Sequence, residues 1–258
     1  MATPLGSFVW YEYTTPSADS AAAFYAKVVG WKASDAGMVE FPYALLALGS
    51  DTVGGILPMP DHMREAGARP FWTGYVGVPD VDAYAAKVSA SGGSVRLAPS
   101  DIPGVGRFAV VADPQGAGFV LFKGRPPEDP RPPMPHDALG NVGWRELRAG
   151  ELGAAFAFYS QLFGWRKAQA MDMGPMGVYQ VFEIEGGQGG GMMTMAPETP
   201  APHWLFYFNV EAIDAAAERV RSAGGEILHG PAEVPGGGWI VHGSDPDGAA
   251  FGLLAAKR

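Results

Sequence analysis

Two carboxylates carry the first chemical signal. Glu12 and Glu146 stand 134 residues apart in matching surroundings, each two positions after a tryptophan, Trp10 or Trp144. On a β-strand that spacing puts Trp and Glu on one face. An enclosed carboxylate has to be paired, hydrogen-bonded or protonated, which suits it to act as a general base or as a polar anchor for a ligand. The same glutamates, paired with an arginine or a backbone amide, would serve structure alone. Glu12 and Glu146 are the catalytic candidates on this reading. Three histidines of the second copy have no histidine counterpart in the first, His203 in "APHWLFYFNV", then His229 and His242. A trio of His203, His242 and Glu146 has the donor chemistry for Fe, Zn or Mn, although no HExxH or comparable spacing supports it. Aromatic and polar side chains complete the ligand-binding candidates: Trp10, Thr73 and Tyr75 in the first half, and Trp144, His203, Tyr207, Trp239 and His242 in the second. Aromatic walls with few polar anchors favour an amphipathic organic ligand.

Several chemistries are absent. The chain has no cysteine, which removes disulfides, thiolate nucleophiles and cysteine-bound metal sites. No GxSxG elbow is present for a serine hydrolase. The net charge is -9, and no basic stripe exists for a phosphate backbone, so nucleic acid is not an expected partner. No apolar run is long enough to cross a bilayer, and the N-terminus lacks a basic region followed by an apolar one, which makes the cytoplasm the expected compartment.

The elements that must position these residues come in two copies. "AFYAKVVGW" at 23–31 returns as "AFYSQLFGW" at 157–165, "VPDVDAYAAKVSASGGSV" returns as "VEAIDAAAERVRSAGGEI", and "ADPQGAGFVLF" returns as "SDPDGAAFGLL". Between them lies "GRPPEDPRPPMPHD", whose prolines favour an extended, stiff connection. The expected organisation is a first domain over 1–124, a linker over 125–140 and a second domain over 141–258. In each copy a strand precedes a helix, near 18–29 in the first, with Ala21, Phe24, Tyr25 and Val28 on one side; Ala155, Phe158, Tyr159 and Leu162 are the counterparts. A second helix carries Val81, Tyr84 and Val88, or Ile213, Ala217 and Val220. "DPQG" and "DPDG" are tight turns before a last strand.

This repeat order and the terminal turns resemble the vicinal oxygen chelate superfamily, also called the glyoxalase, bleomycin-resistance and extradiol-dioxygenase superfamily, over residues 6–124 and 140–256. The resemblance implies an α+β fold of tandem glyoxalase-like domains, each made of paired βαβββ modules with mixed sheets curled around a cleft. It also implies a divalent metal held by His and Glu on strands, at positions that fall on Trp10 or Trp144, near Gly55 or Gly191, on Thr73 or Leu205, and on Val120 or Gly252. Those side chains are not metal ligands, Thr aside. The resulting expectation is a small-molecule-binding protein without the standard metal centre and without a cofactor. Its alternatives are a divalent-metal-dependent lyase, isomerase or dioxygenase with a displaced His and Glu set, and a non-catalytic interaction scaffold. Four modules in one chain permit a monomer, and edge strands permit a homodimer.

Overall fold

The computed structural model describes residues 5–126, 134–185 and 187–258. The first copy runs β1 (Phe8–Thr15), α1 (Ala18–Val28), β2 (Lys32–Asp35), β3 (Ala44–Leu48), β4 (Asp51–Pro58), the short helix α2 (Asp61–Glu65), β5 (Phe71–Gly77), α3 (Val81–Ala90), β6 (Ser94–Ile102), β7 (Gly106–Ala112) and β8 (Gly118–Gly124). The second repeats the order as β9 (Val142–Ala149), α4 (Leu152–Phe163), β10 (Arg166–Asp172), β11 (Val178–Ile184), β12 (Gly187–Thr194), β13 (His203–Asn209), α5 (Ile213–Ser222), β14 (Glu226–Val234), β15 (Gly238–Ser244) and β16 (Ala250–Ala255). Part of the expected linker, 127–133, lies outside the described residues.

Two eight-stranded sheets result, ordered β2-β3-β4-β1-β5-β8-β7-β6 and β10-β11-β12-β9-β13-β16-β15-β14. The paired βαβββ modules are therefore present in both copies. Parallel pairing of β1 with β4, β5 with β8, β9 with β12 and β13 with β16 joins each module's first and last strands.

The chain divides into two compact units, and the division crosses the copies. One comprises the described residues of Met1–Trp10, Thr73–Pro132 and Arg145–Trp204; the other comprises Tyr11–Trp72, Pro133–Trp144 and Leu205–Arg258. In the first unit, the Tyr159 hydroxyl of α4 donates to Asp113 Oδ2 at 3.1 Å and accepts from Trp204 Nε1 at 3.2 Å. Asp113 Oδ1 accepts from the amides of Gln115 and Ala117, both at 2.9 Å, and so closes the "DPQG" turn. In the second unit Tyr25 of α1 donates to Asp245 at 3.1 Å and accepts from Trp72 at 2.8 Å, while Asp245 closes the "DPDG" turn through Asp247 and Ala249. The tyrosine of the repeated helix phrase thus bonds the turn aspartate of the other copy. Burial raises both aspartates above the ordinary carboxylate range. Trp31 and Trp165, each 2% exposed or less, pack against Tyr25 and Tyr159 at 5.7 and 5.1 Å between ring centres.

The turns differ by one residue, and the difference has a structural use. Gln115 bonds the backbone of Glu151 twice, at 2.8 and 2.9 Å. Its counterpart Asp247 accepts instead from the Thr15 hydroxyl at 2.6 Å. Glu151 caps α4, its carboxylate accepting from Ala154 N at 2.7 Å and Gly153 N at 2.6 Å, and these backbone bonds hold its pKa below the ordinary value. A depressed acid contributes stability above its unfolded pKa and loses it as pH falls through the folded one. Glu151→Ala is therefore expected to lower Tm by about 2–4 °C at neutral pH, and the deficit should vanish in strongly acidic buffer. A deficit that persists in acid would point to packing and away from the cap.

Candidate functional site

Alternation along the strands decides which side chains turn away from the helices. In β13, Phe208 packs on Trp31 at 4.7 Å between ring centres, on the helix side, so its neighbour Tyr207 faces the other way. Tyr207 is paired in register with Gly252, Gly252 with His242, and His242 with His229. These four positions form one row across β13, β16, β15 and β14, on a single face of one sheet and within one unit. Gly252 is the pivot of the row. A Cβ there would fall on the Tyr207 ring, so only glycine lets that ring lie across β16. The Tyr207 hydroxyl then shares a 2.7 Å hydrogen bond with His242 Nε2. The His242 and His229 ring centres are 5.3 Å apart. Tyr207 is 2% exposed, His242 half-buried and His229 exposed, so the row leads from the interior to solvent.

The first copy has the same row with different chemistry. Tyr75 pairs with Val120, Val120 with Val110, and Val110 with Leu97. No imidazole stands there, and the Tyr75 ring packs edge-on against Phe122 at 5.7 Å. The polar row belongs to the second copy alone.

Glu146 forms a separate cluster in the other unit. It is 5% exposed, and its register partner is Gly191. Arg148 Nε donates to its Oε1 at 2.7 Å, and the Tyr179 hydroxyl donates to Oε2 at 3.1 Å. Tyr179 crosses over Gly191 much as Tyr207 crosses Gly252. Arg148 and Tyr179 are neighbours of Glu146 that residue types alone did not single out. Arg148 was legible as the next residue on the Glu146 face, whereas the Tyr179 approach depends on the β11–β12 register. Glu12 is half-buried on β1, paired with Gly55, which Tyr43 crosses in turn, and Thr14 stands where the second copy has Arg148.

The other candidates are dispersed. Trp10 and Trp144 are half-buried on β1 and β9, in different units. Thr73 is buried two residues before Tyr75 on β5. His203 begins β13 with Nδ1 2.9 Å from the Ala201 carbonyl, in the unit that holds Glu146. Trp239 lies on β15, under the Arg258 guanidinium at 5.1 Å from its ring centre.

A divalent ion does not fit the positions that the resemblance assigns. The register sets Glu12, not Trp10, opposite Gly55, and Tyr75, not Thr73, opposite Val120. That supplies one carboxylate per copy, and in the second copy this carboxylate is engaged by Arg148 and Tyr179. A carboxylate side chain at 55, 191 or 252 would meet Tyr43, Tyr179 or Tyr207 at its first carbon. Among the described residues no three His, Cys, Asp or Glu side chains gather to hold an ion, so the displaced trio of His203, His242 and Glu146 is not assembled.

A family model described as "Glyoxalase/Bleomycin resistance protein/Dioxygenase superfamily" matches residues 7–121 and 141–253. The chain is 32% identical over 260 residues to "Putative glyoxylase CFP32" of Mycobacterium tuberculosis, covering 95% of this chain and 93% of that one. It is 30% identical over 269 residues to "Anthracycline biosynthesis protein DauV" of Streptomyces sp. (strain C5), covering 98% and 94%. Among solved structures, the Mn(II)-bound glyoxalase from Novosphingobium aromaticivorans superposes with a TM-score of 0.66 at 16% identity, over 99% of this chain and 83% of that one. The 2,2',3-trihydroxybiphenyl 1,2-dioxygenase from Sphingomonas wittichii strain RW1 gives 0.68 at 14% identity, over 97% and 90%.

These findings correct one expectation. A metal-free binding protein was expected because the assigned ligand positions lack donors. The solved chains that share the fold are instead enzymes, one a glyoxalase with Mn(II) bound and others dioxygenases. Ligand positions without donors removed one metal geometry and said nothing against catalysis, so passive metal-free binding is not carried forward. Aromatic faces of this fold suit a small organic ligand, and no helix among the described residues is long and apolar enough to cross a membrane.

Proposed function

From the premise that the chain belongs to the glyoxalase, bleomycin-resistance protein and dioxygenase superfamily, we propose that it is an enzyme transforming a small, amphipathic, oxygenated organic molecule, with proton transfer at the Tyr207–His242 pair. The observation that carries this reading is the 2.7 Å bond between Tyr207 and His242, present in one copy and replaced by Tyr75 beside Val110 in the other. A phenol hydrogen-bonded to an imidazole can give a proton to a substrate oxygen and recover it through the histidine, whose ordinary pKa lies near neutrality. Glu146, bonded by Arg148 and Tyr179, serves as the polar anchor in its own unit, and Glu12, with Thr14 in place of that arginine, is its counterpart in the first copy. Trp10, Thr73, Tyr75, Trp144, His203 and Trp239 enter as contacts on the sheet faces. The names of the anthracycline-biosynthesis relatives favour hydroxylated polycyclic aromatic ketones as the substrate class.

The test is a mass-spectrometric turnover screen of purified protein against hydroxylated polycyclic aromatic ketones and catechols. Wild type should deplete a member of the first class and form a new product. Tyr207→Phe and His242→Phe should each slow turnover about 100-fold or more. Turnover unchanged in both variants would remove the pair from the chemistry, and no product from wild type in either class would sink the assignment.

A further inference from the structure

We propose that a recess in the second unit, where the end of α1 meets α5 and the end of β13, is a binding site for a small aromatic carboxylate. None of the Tyr207 row lines it, so the site is independent of the proton-transfer reading. The recess has a volume of about 250 Å³. Val28, Val29, Leu139 and Val210 give it apolar walls, and Lys27 and Arg219 stand among them.

The first unit shows what the matching space holds. Aligning the repeated helix phrases sets Tyr84 of α3 against Ala216 of α5, Phe163 of α4 against Val29, and Lys87 against Arg219. Tyr84 is 7% exposed and its ring is flanked on both sides. Phe163 stacks with it at 6.2 Å between centres and 6° between planes, and Lys87 Nζ lies 4.1 Å from its centre. In the second unit the counterparts of both flanking groups, Val29 and Arg219, line the recess, while the residue in the place of Tyr84 is alanine. Two rings are thus absent where the elements otherwise match. A planar ring is the shape that refills such a space.

Charge selects the substituent on that ring. Arg219 Nε and Nη2 donate to the Val28 carbonyl in the last turn of α1, at 3.2 and 3.0 Å, and Lys27 Nζ donates to the Ser222 carbonyl at 2.8 Å. Carbonyls fix both cations without neutralising them, and among the described residues neither forms an ion pair. Glu211 adds one negative charge to the lining, so positive charge remains in excess. The guanidinium has further N–H donors beyond the two used on Val28, and these suit a carboxylate. Arg219 also keeps the cation that Lys87 presents to the Tyr84 ring. The volume falls below the roughly 300–1,000 Å³ typical of pockets for drug-sized ligands, which limits the occupant to one ring with small substituents.

Titration of the full-length protein with para-fluorobenzoate, followed by fluorine NMR, tests the proposal, with para-fluorobenzamide as the neutral comparison. The expected result is saturable binding of one benzoate per chain, about tenfold or more tighter than the amide. Val29→Phe, at a half-buried position on the wall, puts back a ring of the first unit and should weaken benzoate binding about tenfold or more. Arg219→Gln should bring benzoate down to the affinity of the amide, and Tyr207→Phe should leave binding unchanged. If Arg219→Gln does not fold, as judged by circular dichroism, Lys27→Gln at an exposed position supplies the charge test, with a loss of about threefold or more expected. Absence of saturation, equal affinity for the amide, or benzoate affinity unchanged in folded Val29→Phe would each overturn the site. Loss of binding in Tyr207→Phe would move the ligand to the sheet face and overturn it as well.

Discussion

Asp113→Ala is expected to lower the unfolding free energy by about 3–5 kcal/mol. Asp113 is 3% exposed and accepts three hydrogen bonds, from the Gln115 and Ala117 amides and from the Tyr159 hydroxyl. Alanine leaves those donors without their acceptor in surroundings where each loss is costly, and Trp204 loses the fixed position of the oxygen it donates to. Asp113→Asn retains an acceptor for the turn amides and should cost much less. Urea titrations followed by tryptophan fluorescence measure both. A loss below about 1 kcal/mol in the alanine variant would show that the turn is held by packing alone.

The same site sets a pH dependence. Asp113 and Asp245 are raised in the folded state, chiefly by burial away from water. The sign follows from linkage: a raised acid contributes stability that is complete below its unfolded pKa and is lost as pH rises through the folded value. The advantage of wild type over Asp113→Asn should accordingly be largest at the acid end of the carboxylate range and shrink above it. Glu151 runs in the opposite direction, because backbone donors lower its pKa. Comparing the two variants across pH separates burial from hydrogen bonding as the cause of each shift.

Gly252→Val is expected to have the second large effect, on structure and chemistry together. Valine's Cβ would occupy the place of the Tyr207 ring, and the neighbouring backbone of a central strand cannot move away without breaking pairing on both sides. Overpacking of this kind costs about 1–3 kcal/mol. The Tyr207–His242 bond should be lost with it, so turnover should fall at least as far as in Tyr207→Phe. The imidazole signals of His242 in NMR provide a check independent of activity. If they are unchanged in a folded Gly252→Val protein, the pivot role assigned to this glycine is wrong. A double variant, Gly252→Val with Tyr207→Gly, should recover stability without recovering activity, since it restores space but not the phenol.

Much of the architecture could be read from residue types and spacing. Ala21, Phe24, Tyr25 and Val28 recur at helical spacing, and all four are buried in α1; Ala155, Phe158, Tyr159 and Leu162 are likewise buried in α4. Such periodicity is local, and burial of one helix face follows wherever that helix packs. The repeat, offset by 134 residues at its first landmarks and 132 at its later ones, then determined two sets of paired modules, since matched local signals in matched order fold to matched sheets. Glu146 with Arg148 was also within reach, because residues two apart share a strand face.

Tertiary structure alone decided what these elements do to one another. Tyr159 reaches Asp113 across the boundary between copies, a partnership that no local pattern encodes because each residue is equally consistent with its own copy. The row of Tyr207, Gly252, His242 and His229 depends on strand order and register, and a slip of one residue would turn every one of its side chains to the other face. Residue types determined that tyrosine, glycine and histidine were available in the second copy. Pairing β13 to β16 to β15 to β14 brought them into one row, because backbone hydrogen bonding fixes which residues stand opposite one another over separations that sequence patterns do not span.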